Sequence, residues 1–305
     1  MSDSTGDGLN EAWGERLTDR SRGIARRDAL RLLAVAAAGT LLPRLAGAGS
    51  ASTAVASRRI ERVGLRLHTV RAALRADIPG TLAAVADAGV HEVEFSEYLN
   101  KPAPWWRALL REHGLTAPAA HAVMPATDAG WAPLFAHART MQHNWIVVPG
   151  TATRARNVAE RWKRLAARLN QAAKLGARAG INVAYHNGEI DFSGLGSTSG
   201  YEILMAETDP SLVDFELDIF SAMRAGQDPL VMLDRWRGRF TSCHLRDMGP
   251  APARRAMDVG AGTIDFASIL EKGRPAGLRH WFIDTADAAD PIASVRASAL
   301  AMTGL

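Results

Sequence analysis

Two runs of this chain carry short apolar patterns into groups that bind metal or move protons. They are Val213-Asp-Phe-Glu-Leu-Asp-Ile-Phe220 and Phe240-Thr-Ser-Cys-His-Leu-Arg-Asp247. A helix-sized segment, Asp228 to Trp236, lies between them. Together they read as a βαβ unit with its chemistry at the carboxyl ends of the strands, where a (β/α)8 barrel builds its active site. Asp218 and His244 would then face one another from neighbouring strands. Singly, Asp218 reads better as a helix cap and His244 as a core histidine with its hydrogen bonds made. At matching strand ends, the pair points to function.

The polar residues that close the other strand-like runs are His68, Glu94, His121, His186 and Asp284. Carboxylates and imidazoles at one barrel mouth suit a divalent cation with oxygen and nitrogen ligands, such as Mn, Mg, Co or Zn. Asp218, His244 and Asp284 are the expected ligands, completed by His186 or Asp191. Glu94 or Asp284 could take a proton from the carbon beside a carbonyl, with His186 or His121 passing it on. No cysteine cluster suggests a structural zinc site; Cys243 stands alone, which excludes an internal disulfide.

Positioning these groups requires a repeated strand-helix pattern. Arg62–His68 alternates with period two, and strand-like runs recur at His91–Phe95, Thr116–His121, Trp145–Val148 and Ile181–His186. Val213–Asp218, Phe240–His244 and His280–Asp284 complete the set. A helical pattern follows each run, the longest from about Thr153 to Ala179. Eight such pairs predict a closed TIM barrel from about residue 59 to 305. A doubly wound sheet would want a glycine-rich phosphate loop after the first strand, and Leu67-His-Thr-Val-Arg-Ala has no glycine.

The segment 1–55 reads differently. Arg26-Arg27 precede the apolar run Leu32–Leu42, which is too short to span a bilayer and is followed by small residues, Ala46-Gly-Ala48 and Ser50-Ala51. This predicts a twin-arginine-type signal peptide, delivery to the periplasm or exterior, and no stable membrane insertion after its removal. Lys plus Arg exceed Asp plus Glu by 36 − 32 = 4, with no basic block, which argues against a nucleic-acid partner. The sequence gives no oligomeric state.

From about Arg62 to Ser298 the chain resembles the sugar phosphate isomerase/epimerase family with the xylose isomerase-like barrel. The matching stretches are Ala184-Tyr-His-Asn187, Asp209–Asp218, Ala225-Gly-Gln-Asp-Pro229, Gly238–Asp247 and Asp258-Val-Gly-Ala-Gly-Thr-Ile-Asp-Phe266. The resemblance implies a divalent metal at the mouth, a small-molecule carbohydrate substrate, and isomerisation, epimerisation or dehydration next to a carbonyl. It puts Asp218 and His244 on metal-ligand positions and Arg246 on a substrate-contact position usually held by Lys. His68 and His121 are the other expected substrate contacts. Departures are Gly188 for a second histidine, Asp191 and Asp284 for Glu, Ser221 for Trp, and Ala286 for an acid. They motivate an alternative, an impaired barrel that binds a carbohydrate without turnover. For the leader, the expected outcome is a native amino terminus between Gly49 and Val55 on sequencing; intact cytoplasmic protein starting at Met1 would count against it.

Overall fold

The computed structural model describes residues 60, 62–150, 158–285 and 288–305. The expected signal segment 1–55, the expected start of the longest helix at Thr153, and Ala286 lie outside them. Eight parallel strands close into a barrel: β1 Val63–Arg66, β2 Val90–Phe95, β3 Thr116–His121, β4 Trp145–Pro149, β5 Asn182–His186, β6 Val213–Asp218, β7 Phe240–Leu245 and β8 His280–Ile283. Each pairs with its chain neighbours, and β8 pairs with β1.

Among the described residues one main helix follows each strand: α1 Ile78–Asp87, α2 Ala103–Glu112, α3 Trp131–Met141, α4 Ala159–Ala179, α5 Gly200–Glu207, α6 Pro229–Arg235, α7 Phe266–Ala276 and α8 Pro291–Gly304. The short helices Arg71–Ala76 and Ile219–Arg224 precede α1 and α6. Local sequence fixes several starts. Asp77, Asp228 and Asp290 accept backbone N–H groups ahead of α1, α6 and α8, each with a proline in the first turn. Ser199 and Glu202 form a reciprocal capping box on α5. No described helix is long and apolar enough to cross a membrane.

Period-two alternation sorts side chains into two cores. On β6, Val213, Phe215 and Leu217 are fully buried in the large apolar cluster shared with the helices. Asp214, Glu216 and Asp218 alternate with them. A smaller apolar cluster, Ala119, Trp145, Val147, Ala184 and Phe282, comes from alternate positions on β3, β4, β5 and β8 and fills the barrel's waist. Trp145 Nε1 donates to Asp214 below that plug at 2.7 Å.

Two details differ from the sequence expectation. The first strand ends at Arg66, and His68 sits in a 3-10 turn, Leu67–Val70, so the polar residue closing β1 is Arg66. Asp247 anchors the loop after β7 by accepting from the backbone N–H groups of Met248, Gly260, Gly262 and Ile264. That loop includes a two-residue ribbon, Asp247–Met248 with Ala256–Met257, too short to show a period.

Gly64 is where β1 admits the Phe282 ring. A Cβ there would stand 2.5 Å from Phe282 Cδ1 and 2.9 Å from the Trp281 carbonyl oxygen. Gly64→Leu is expected to lower unfolding free energy by about 1–3 kcal/mol, read from urea denaturation. An unchanged midpoint would show that the waist has slack.

Candidate active site at the barrel mouth

The innermost polar layer is a ring of four side chains, one each from β2, β3, β6 and β7. His121 Nε2 lies 2.8 Å from Glu216 Oε2 and 3.2 Å from Glu94 Oε2. His244 Nε2 lies 2.8 Å from Glu94 Oε2 and 3.2 Å from Glu216 Oε2. Glu94, Glu216 and His244 have no solvent exposure. Ser242 donates to the other Glu216 oxygen at 2.8 Å, and the two imidazoles stack at 5.5 Å. The strands bring them together because Asp218 is in register with His244, and Glu216 with His186 and Ser242.

Above the ring is a second layer. His244 Nδ1 faces His186 Nε2 at 3.0 Å, and His186 Nε2 is 3.7 Å from Asp218 Oδ2. Asp218 Oδ1 accepts from Ser221 N at 2.8 Å and caps the short helix Ile219–Arg224. It is therefore both the expected cap and a residue of the site. Asn187 ties the ends of β5 and β6 together, accepting from Asp218 N at 2.9 Å and donating to its carbonyl at 3.1 Å.

Asp284 is 3.6 Å from His244 Nδ1, but its Oδ2 is taken by two arginines. Arg66 Nη1 reaches it at 3.3 Å, and Arg246 Nη2 makes a shorter contact. Arg246 Nε also donates to the Asp284 carbonyl at 2.6 Å, while its guanidinium lies over Phe220 at 5.2 Å.

The charges follow from burial and neighbours. Burial pulls His244 down, but Glu216 and Glu94 outweigh it and hold the imidazole well above its usual value. His121 is raised against burial by the same carboxylates. Burial would raise Glu216, yet His244 and His121 hold it well below the carboxylate range. Asp284 is likewise lowered, against burial, by His244, Arg66 and Arg246. His186 is pushed well below its usual value by burial, then by His244 and His121. These shifts favour the imidazolium at His244 and the neutral imidazole at His186, whose nitrogens face each other at 3.0 Å.

The expected residues separate into groups. His186, Asp218 and His244 offer donor atoms within 4.8 Å of one another, as do Glu94, His121, Glu216 and His244. Asp284 and Arg246 stand at the rim of the first group. His68 belongs to neither group. Asp191 is buried, accepts from Tyr185 Oη at 2.7 Å and Gly188 N at 2.9 Å, and is not among the donors of either group. Glu216 and Arg66 were not expected from the sequence. Alternation alone could have found Glu216, two residues before Asp218 on the same strand face.

The donor chemistry fits a divalent cation at His186, Asp218 and His244. Its two imidazole nitrogens and a carboxylate match such an ion, and Glu94 binds the far nitrogen of His244, as carboxylates do behind ligating histidines. Glu94 Oε1, His121 Nδ1, Arg66 Nε and Asp284 Oδ1 are buried without a protein hydrogen-bond partner, a set of polar atoms suited to an oxygen-rich guest.

The family model for the xylose isomerase-like TIM barrel matches residues 82–284. An inosose dehydratase of Geobacillus thermodenitrificans (strain NG80-2) is 28% identical over 151 residues, covering 44% of this chain and 50% of that protein. The chain spans about half the length of the curated relatives it matches. Among solved structures, a sugar phosphate isomerase/epimerase from Parabacteroides distasonis ATCC 8503 superposes with a TM-score of 0.69 at 20% identity, covering 82% of this chain and 96% of that one. The IOLI protein with a binding zinc atom superposes at 0.62 and 14% identity, covering 80% and 98%. These two likenesses are of fold.

Linkage gives a pH window for metal-free protein. His244, raised above its usual 6.5, contributes stability that is complete below about pH 6.5 and lost as pH rises through its folded value. Glu216, lowered from its usual 4.5, contributes stability present above about pH 4.5 and lost as pH falls through its folded value. Chelator-treated protein should therefore melt highest between these limits in scanning calorimetry. A melting temperature still climbing above pH 8 would show His244 to be neutral in the fold.

Proposed function

This chain belongs to the xylose isomerase-like TIM barrel family, and on that premise we propose that it is a metal-dependent enzyme acting on a sugar or cyclitol. The reaction is isomerisation, epimerisation or dehydration begun by removing a proton next to a carbonyl. One observation carries this reading: the donor atoms of His186, Asp218 and His244 meet at the barrel mouth, with His244 backed by Glu94. Asp284 is the candidate fourth ligand. A divalent cation held there supplies polarisation of a substrate carbonyl and its neighbouring hydroxyl oxygen.

The chain's own groups supply the rest. Glu94 and Asp284 each keep one buried carboxylate oxygen without a protein partner, so each can accept a proton from substrate carbon. Arg246 and Arg66 can bind substrate oxygens while holding Asp284 ionised. In an isomerase or epimerase the proton returns to carbon. In a dehydratase, protonated His121 gives a proton to the departing hydroxide, which leaves as water. The dehydratase relatives favour trying keto-cyclitols first. Export by a twin-arginine-type leader belongs to the same proposal and rests on Arg26-Arg27 and the apolar run after them.

A second reading, carbohydrate binding without turnover, is favoured by the two arginines engaging Asp284 Oδ2. Keto-sugars and inososes incubated in deuterated water with Mn separate the two. Deuterium entering carbon, or loss of water, is the expected result; binding without exchange supports the second reading. Asp218→Ala is expected to abolish bound metal, measured by elemental analysis, together with turnover. Glu94→Gln should weaken metal binding by about 10–100-fold, and Asp284→Glu should hold metal at least as tightly as the native chain. Full metal content in Asp218→Ala would remove the site.

A further inference from the structure

At the opposite end of the barrel, the amino ends of β1–β4 and β8 border a cleft of about 630 Å³. We propose that this cleft binds a phosphate monoester, at a site distinct from the mouth. Arg62, Arg107 and Arg111 line it, with Glu92, His280 and Gln142.

Arg62 is largely spent on structure. Its Nε reaches Glu92 Oε1 at 3.1 Å and its Nη2 donates to Thr116 at 3.0 Å. The carboxylate of Glu92 thus offsets Arg62. Arg107 and Arg111 are different: among the described residues neither has an ion pair or a side-chain hydrogen bond. They stand one turn apart on α2, on the same helix face, where like charges repel. The negative end of α2 rationalises Arg111 in its last turn. It does less for Arg107 one turn earlier. A dianion between them would relieve the repulsion and match the two uncompensated positive charges, and guanidinium groups suit the paired oxygens of phosphate.

The floor is built rather than incidental. Glu92 is 7% exposed and accepts from His280 Nδ1 at 2.7 Å. That bond fixes the imidazole and leaves Nε2 without a protein partner among the described residues. The Gln142 amide, also without a partner, adds hydrogen-bonding groups for a hydroxylated body attached to the phosphate. The waist plug separates floor from mouth, since Phe282 stacks directly on His280 at 6.1 Å. The proposal therefore stands whether or not the mouth holds a metal.

The test is calorimetric titration of the full chain with inorganic phosphate, glycerol 3-phosphate and glycerol at low ionic strength. One saturable phosphate site per chain is expected, with glycerol alone giving no saturable heat. Arg107→Gln/Arg111→Gln should weaken phosphate at least tenfold, and Arg107→Glu alone should do the same if the double variant folds poorly. Arg246→Gln, at the mouth, should leave this binding unchanged. Undiminished binding in both cleft variants, loss of binding in Arg246→Gln, or no saturable heat with phosphate would each overturn the proposal.

Discussion

Two carboxylates with no solvent exposure share the interior of this barrel, and the mouth is organised by how they are neutralised. Glu94 and Glu216 come from opposite sides of the barrel, yet each presents one oxygen to both His121 and His244. Removing a single partner would strand a buried charge, which is far costlier than losing a surface ion pair. The ring therefore points Nε2 of each histidine at the carboxylates. It turns His244 Nδ1 toward His186, Asp218 and Asp284. The mouth chemistry inherits its orientation from a layer below it.

The plug at the waist makes the two ends of the barrel independent. Above it lie the ring, the two arginines on Asp284 and the convergent donors. Below it lie Asp214, which accepts from the plug's Trp145, and His280 with Glu92. The same strands supply both ends: Glu92 and Glu94 on β2, Asp214 through Asp218 on β6. The hydrogen bonds given for each end stay within it, so substitutions at one have little reason to disturb the other, and additivity between them is the expectation.

Much of this was legible in the sequence. Alternation gave the eight strands. Asp218 and His244 stood out because strand register makes them neighbours. The glycines of Asp258–Phe266 also acquire a physical reason, since Gly260 and Gly262 lend their N–H groups to buried Asp247 and a Cβ at Gly262 would collide with its carboxylate. What was illegible depends on three-dimensional closure. Arg66 was overlooked because β1 ends two residues before His68. Glu216 was overlooked because an acid inside a strand of Val, Phe and Leu resembles an ordinary polar position until its partners arrive from β3 and β7. The arginines on Asp284 could not be read at all, because a residue's reach says nothing of which cations compete for it.

The contact between Arg66 and Asp284 spans 218 residues of sequence, from the end of the first strand to just beyond the last. Joining such distant points costs chain entropy that only a completed barrel repays. Until β8 docks on β1, Asp284 has no Arg66, and the ring lies open to water on one flank. A partly folded chain would hold every residue of the mouth and none of its electrostatics. The site is thus an all-or-none property of the finished ring, and a half-built barrel has no weakened version of the chemistry to offer.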